Sequence, residues 1–159
     1  MQAKKASLKE IEDIEKIIEK NYGAKLDLSN YEVYINKRGE IFLASKSIST
    51  VENLIEKSSY FGLYIGKLKR NQKIQLSVEG SQIVGKQANK NIAILDDENI
   101  FKFMEGLPAK WKELINCEKN NFVLIKNNND FFGSGILRED FIENYVPKGR
   151  RIMTSIKKI

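Results

Sequence analysis

The sequence contains no histidine and a single cysteine, Cys117. Serine and cysteine hydrolases normally use histidine as their general base, so an acid–base enzyme built from this chain would depend on Asp, Glu, Lys or Tyr. One cysteine without histidine can build neither a disulfide framework nor a zinc cage. We therefore expect no metal, a reducing intracellular setting, and a Cys117 thiol that is inert and partly buried.

Long apolar runs are also missing. The N-terminal segment MQAKKASLKE lacks the apolar core of a signal peptide, and no run approaches the length of a membrane span. These absences predict a cytoplasmic protein without membrane contact. No linker rich in proline or serine divides the chain, so we expect the boundary between two small domains in the polar segment GKQANKN, around Asn89.

Charge is abundant but unevenly distributed along the 159 residues, whose net charge is +6. Residues 64–90 carry six basic side chains against one acid, and the last thirteen residues carry five against none. The intervening residues 92–146 carry six bases against ten acids. Basic segments on both sides of an acidic stretch favour a polyanionic partner.

Periodicity and turn signals predict a mixed chain of helices and short strands. The segment SLKEIEDIEKIIEKNYG is typical of an amphipathic helix, with Ser7 and Glu10 forming a capping box and Gly23 ending it. The remaining pattern predicts hairpins over residues 31–45 and 60–77, helices near residues 50–58, 77–87 and 96–106, and strands near residues 89–95, 121–126 and 131–137.

The segment GSQIVGKQ, residues 80–87, nearly matches the phosphate-binding loop G-x-x-x-x-G-K-[ST]. Gln87 replaces the hydroxyl that would bind Mg²⁺, and the segment leads into a strand where such a loop should open a helix. Too few residues follow for a crossover between parallel strands. We therefore interpret this segment as a short helix capped by Ser77.

The segment FFGSGIL contains two glycines, Gly133 and Gly135, on the same side of a predicted strand. Glycine weakens a strand, so its presence needs a reason. One interpretation is close packing against a neighbouring strand or a bulge at a barrel corner. The other is a backbone that a ligand approaches closely.

Three segments in order resemble a PUA domain, the small β-barrel module of pseudouridine synthases and archaeosine transglycosylases: NIAILDDENIFKFMEGLPA, NFVLIKNNNDFFGSGIL with its G-x-G strand, and NYVPKGRRI. Upstream, FGLYIGKLKRNQKIQLSVEGSQIVG resembles the segment that precedes the PUA domain in ribosome-biogenesis factors and in Sun-family RNA cytosine methyltransferases. The resemblance implies an α+β fold, with a pre-PUA domain over residues 1–89 (an antiparallel sheet with helices) and a PUA-type β-barrel over residues 90–159.

The final segment RRIMTSIKKI predicts a closing strand, because Ile152 and Ile156 lie at even spacing, with Thr154 between them, and would share one face. Its outward cations are interpreted as the main RNA-binding face, with a solvated, lysine-protected edge as the alternative. The candidate RNA-binding residues are Lys148, Arg150, Arg151, Lys157 and Lys158, the weaker second surface of Lys69 and Arg70, and the glycines Gly133 and Gly135. Trp111 is interpreted as a core or rim anchor, with base stacking as the alternative.

The resemblance implies RNA binding without catalysis or cofactor, since the chain has no room for a methyltransferase cofactor domain. We expect RNA as the partner, rRNA more than tRNA, in ribosome biogenesis and rRNA processing or in support of RNA modification. The alternative is a protein-interaction adaptor that docks on another ribosome-assembly or RNA-modification protein, and a third possibility is a small enzyme.

Overall fold

The computed structural model describes residues 3–46 and 62–144. The predicted helix at residues 50–58 and the predicted closing strand at residues 150–159 lie outside the described residues. The described residues form a mixed α+β structure with two five-stranded sheets. This is the fold class that the sequence predicts.

The first sheet has its strands in chain order, and every neighbouring pair is antiparallel. Both predicted hairpins are confirmed, and the two-residue first strand was missed because a Lys-Lys pair carries no hydrophobic alternation. The strands are β1 (Lys4–Lys5), β2 (Tyr31–Ile35), β3 (Glu40–Ser45), β4 (Leu63–Lys69) and β5 (Lys73–Leu76).

Helix α1, Leu8–Tyr22, packs on one face of this sheet. The predicted capping box is present, since the Ser7 side chain accepts from the backbone of Glu10 and the Glu10 side chain accepts from the backbone of Ser7. Gly23 ends the helix at a φ of 74°, in the left-handed region that glycine adopts readily. Ile14 and Ile18 are buried on the face that the hydrophobic spacing predicts.

The second sheet has the order β10-β9-β8-β6-β7, in which only the β6–β8 pair is parallel. Helix α3, Asp97–Met104, follows β6 and is capped by Asp96. The strands are β6 (Ile92–Ile94), β7 (Glu113–Ile115), β8 (Phe122–Asn127), β9 (Asp130–Leu137) and β10 (Ile142–Asn144). The segment EDFIENYV, residues 139–146, has an ambiguous pattern from which β10 could not be predicted. The sequence analysis also missed β7, which has only three residues.

The second sheet is not closed into a barrel within residues 62–144. Its two ends nevertheless approach each other, because Ala109, shortly before β7, exchanges backbone hydrogen bonds with Ile142 of β10. The closed barrel therefore stays a prediction.

Helix α2, Val78–Gly85, lies between the two sheets and confirms the interpretation of GSQIVGKQ as a helical segment. Its glycines allow close approach on both sides. A Cβ at Gly80 would lie 1.9 Å from the carbonyl oxygen of Ile65 in β4, and one at Gly85 would lie 2.6 Å from the ring of Phe131 in β9. The resemblance to a phosphate-binding loop thus arises from packing.

The largest core cluster is continuous across both sheets. It joins Ile18 of α1 and Ile41 of β3 to Leu124 of β8 and Phe131 of β9. A second cluster, centred on Phe103, lies between α3 and the second sheet. The division into domains at residues 1–89 and 90–159 stays a prediction. None of the helices in residues 3–46 and 62–144 is both long and apolar enough to cross a membrane.

Candidate nucleic-acid interface

Three lysines share the outer face of β4 and β5. Lys67 and Lys69 alternate along β4 with the inward Leu68, and Lys73 lies directly opposite Lys69 on β5. Like charges directly opposite each other on a sheet destabilise the pair. An anionic ligand bound across the two strands would relieve this repulsion.

Arg70 extends this positive face into the turn between the two strands. It is exposed, as is Lys69 beside it, while Lys67 and Lys73 are half-buried. We call these four residues the lysine face. None of the four forms an ion pair with another residue of the described ranges. Their charges are therefore available to a partner.

The turn that carries Arg70 is fixed by helix α1. Asn71 and Gln72 both have left-handed backbone angles, with φ of 63° and 58°. The Gln72 carbonyl oxygen accepts from Asn21 Nδ2 at 2.8 Å, and Gln72 Oε1 accepts from Lys20 Nζ at 2.9 Å. These bonds hold a turn geometry that non-glycine residues seldom adopt, and so they fix the backbone next to Arg70.

Cations of the second sheet and its helix are arranged differently, because three of them, Lys102, Lys119 and Arg138, are paired with acids. Lys119 Nζ lies 2.7 Å from Glu139 Oε1, and Arg138 lies 3.2 Å from Glu143 Oε1. The contrast between the basic residues 64–90 and the acidic residues 92–146 is therefore also present in the folded structure.

The predicted site residues fall into three groups. Lys69 and Arg70 are exposed and adjacent, as the sequence indicates. Gly133 and Gly135 are buried in β9. The predicted main face lies outside the described residues and consists of Lys148, Arg150, Arg151, Lys157 and Lys158.

The two glycines of β9 contact the protein's own elements. A Cβ at Gly135 would lie 2.4 Å from Ile142 Cγ2 in β10. Gly133 has a φ of 97°, and its N–H donates to Ser81 Oγ of α2 at 2.8 Å. Gly135 therefore packs closely against the neighbouring strand, the first of the two alternatives, whereas the left-handed backbone of Gly133 favours glycine at that position. An RNA contact at either glycine stays a prediction.

Three further residues, Asp96, Cys117 and Trp111, make contacts within the protein. Hydrogen bonds from the Asn99 backbone and side chain hold the pKa of Asp96 below its usual value. The Cys117 thiol is half-buried and donates to the Ile92 carbonyl oxygen at 3.2 Å, and burial raises its pKa, in keeping with the expected inert thiol. Trp111 is half-buried against the core cluster of the second sheet, which fits the anchor interpretation.

The sequence pattern did not reveal the cations that the fold places beside the lysine face. Lys37 and Arg38 occupy the turn between β2 and β3, at the end of the first sheet where β4 also ends. The signal that could have found them is the antiparallel order of two consecutive hairpins, which brings alternate turns to one end of a sheet.

No family model matches the chain, and no curated protein matches its sequence. The solved structures that are similar in fold include two PUA domain proteins. A conserved PUA domain protein from Thermoplasma acidophilum has a TM-score of 0.60 and 14% identity, over 87% of this chain and 81% of that one. A PUA domain from Aeropyrum pernix, in a tartrate complex, has a TM-score of 0.55 and 7% identity, over 93% and 86% of the two chains. The chain therefore shares the fold of PUA domain proteins.

Proposed function

We propose that this protein binds RNA, without catalysis or cofactor, through the lysine face and through the cations of its C-terminal segment. The observation that carries the proposal is the lysine face itself. Lys69 and Lys73 lie directly opposite each other, and neither forms an ion pair with a described residue. A phosphate backbone supplies regularly spaced negative charge for such a surface.

The fold similarity supports the RNA assignment, because the resemblance of the sequence to PUA domains implies RNA binding. We propose rRNA as the RNA class and the cytoplasm as the compartment, in keeping with the resemblance of residues 61–85 to the segment that precedes the PUA domain in ribosome-biogenesis factors. Binding of an rRNA fragment in preference to a tRNA of similar length would test this choice.

The C-terminal cations are proposed as the main contact and the lysine face as the weaker one. In this proposal residues 150–159 form a strand that completes the barrel, with Arg151 and Lys157 directed outward to the RNA. The planar guanidinium group of Arg151 and the ammonium group of Lys157 both suit phosphate oxygens. Cations at the exposed edge of a strand remain accessible to a ligand.

The test is a titration of labelled single-stranded RNA with the full chain at two salt concentrations. We expect the affinity to fall steeply with salt, as counterion release requires. An RNA affinity that is weak and independent of salt would instead favour the adaptor alternative, in which another assembly or modification protein is the partner. Incubation with RNA and common cofactors, followed by nucleoside analysis, tests the proposed lack of catalysis.

A further inference from the structure

The turn between β2 and β3 lies directly beside the end of β4. The Leu68 N–H donates to the Gly39 carbonyl oxygen at 2.9 Å, and Glu40 at the start of β3 lies opposite Lys67. This bond lies between Arg38, which precedes Gly39, and Lys69, which follows Leu68. Lys37 and Arg38 of the β2–β3 turn are thus close in space to the lysine face, although about 30 residues separate them from it in sequence.

The β2–β3 turn is held in one conformation by its first residue. Asn36 Oδ1 accepts from the backbone N–H groups of Arg38 and Glu40, both at 3.0 Å. Asn36 Nδ2 donates to Glu40 Oε1 at 2.8 Å, which keeps that carboxylate on the asparagine. Gly39 completes the turn at a φ of 84°. A side chain that bonds its own turn in this way fixes the backbone locally.

Lys37 and Arg38 are exposed, and within the described ranges neither is part of an ion pair. The β4–β5 turn is equally constrained, by the bonds from Lys20 and Asn21 to Gln72. Two fixed turns therefore present unpaired cations at the same end of one sheet. A site whose groups are already ordered loses less entropy when it binds.

We propose that the two turns form one phosphate-binding clamp, in which Lys37 and Arg38 contact the same RNA strand as Lys69 and Arg70. This inference rests on the proposed function and adds a second turn to its weaker surface. Arg38 and Arg70 supply planar donors that suit phosphate oxygens, and the lysines add point charges. Asn36 is a positioning residue that holds Arg38 without contacting the RNA.

The experiment compares three double variants of the full chain: Lys37→Ala/Arg38→Ala, Lys69→Ala/Arg70→Ala, and the control Lys110→Ala/Lys112→Ala. The control removes the same charge from exposed positions next to β7 of the second sheet. The probe is labelled single-stranded polyuridylate, titrated at several salt concentrations. All substituted side chains are exposed, so thermal stability should stay close to that of the parent.

We expect the two turn variants to weaken binding to a similar extent, while the control changes it less. The slope of log affinity against log salt should shrink by about 0.7 for each phosphate that the variant no longer binds. A Lys37/Arg38 variant that behaves like the control, while the Lys69/Arg70 variant binds more weakly, would overturn the clamp and leave the proposed function standing. A parent protein that does not bind polyuridylate at low salt would overturn the proposed function itself.

Competition with unlabelled polyglutamate separates RNA from an acidic protein partner. We expect polyglutamate to displace the probe far less well than unlabelled polyuridylate does. Equal displacement would show that the clamp is a general anion surface, which contradicts RNA as its specific partner.

Discussion

Asn91 Nδ2 donates to the carbonyl oxygen of Asn21 at 2.6 Å, which joins the segment before β6 to the end of helix α1. Asn21 in turn donates to Gln72 at the base of the clamp. Asn91 is buried and has a φ of 57°. The side chains of Asn91 and Asn21 together thus link the second sheet, α1 and the β4–β5 turn.

Replacing Asn91 tests whether this link stabilises the fold. Asn91→Gly removes the side-chain bonds but tolerates the positive φ, and we expect a loss of about 1–3 kcal/mol, since a buried carbonyl loses its donor. Asn91→Ala should cost roughly 1–2 kcal/mol more, because alanine is strained in the left-handed region. Urea unfolding measures both values. The control is Asn71→Gly at an exposed position with a φ of 63°, where we expect little loss.

Gly80→Ala should destabilise the protein although alanine is the better helix former. The new Cβ would lie 1.9 Å from the carbonyl oxygen of Ile65, so α2 would have to move away from β4. Overpacking of this kind costs about 1–3 kcal/mol or more. Gln82→Ala, at an exposed position of the same helix, should stay within about 0.5 kcal/mol. Equal thermal stability of the two variants would contradict the packing role of Gly80.

Tyr64 makes stability sensitive to alkaline pH. Burial and, second, the negative charge of Glu40 raise the pKa of Tyr64 to about 12 from its ordinary value of 10.0. The unfolded chain therefore loses this proton first, so the stabilisation is fully present below about pH 10 and is lost as pH rises toward 12. Tyr64→Phe should flatten this decline while keeping the ring contact with Phe42, whose centroid lies 5.4 Å away. Chemical unfolding at neutral and alkaline pH measures the difference, and an unchanged alkaline decline would contradict the prediction.

The predicted closing strand gives a contrast between neighbouring residues. Arg151→Ala/Lys157→Ala should leave stability within about 0.5 kcal/mol and weaken binding of all RNA sequences alike, more than the Lys69/Arg70 variant does. Ile152→Ala should instead cost about 2–5 kcal/mol, because we expect that side chain to face the core. If the double variant keeps the RNA affinity and the salt slope of the parent, the predicted strand is only a solvated edge and is not the main RNA contact.

Local chemistry made much of the fold predictable. The capping box of Ser7 and Glu10, the strand alternation around the two predicted hairpins and the Ser77 cap each depend on residues close together in sequence. Short elements escaped prediction for the same reason. β1 and β7 have two and three residues, too few to show a period, and exist because neighbouring strands pair with them.

The candidate site was only half predictable. Lys69 and Arg70 stand out in sequence because their segment contains one acid. Lys37 and Arg38 do not, since their proposed role depends on which turns meet at one end of the sheet. The glycines Gly80 and Gly85 suggested phosphate chemistry, and only the position of α2 between two sheets showed that they allow close packing.

By itself the sequence determined the order and type of most elements and the separation of basic from acidic segments. Those properties follow from hydrophobic period, caps, turns and charge, which act over a few residues. Tertiary structure decided the strand order, the burial of Asn91 and the meeting of the two basic turns. These depend on contacts between residues far apart in the chain, whose partners no local pattern specifies.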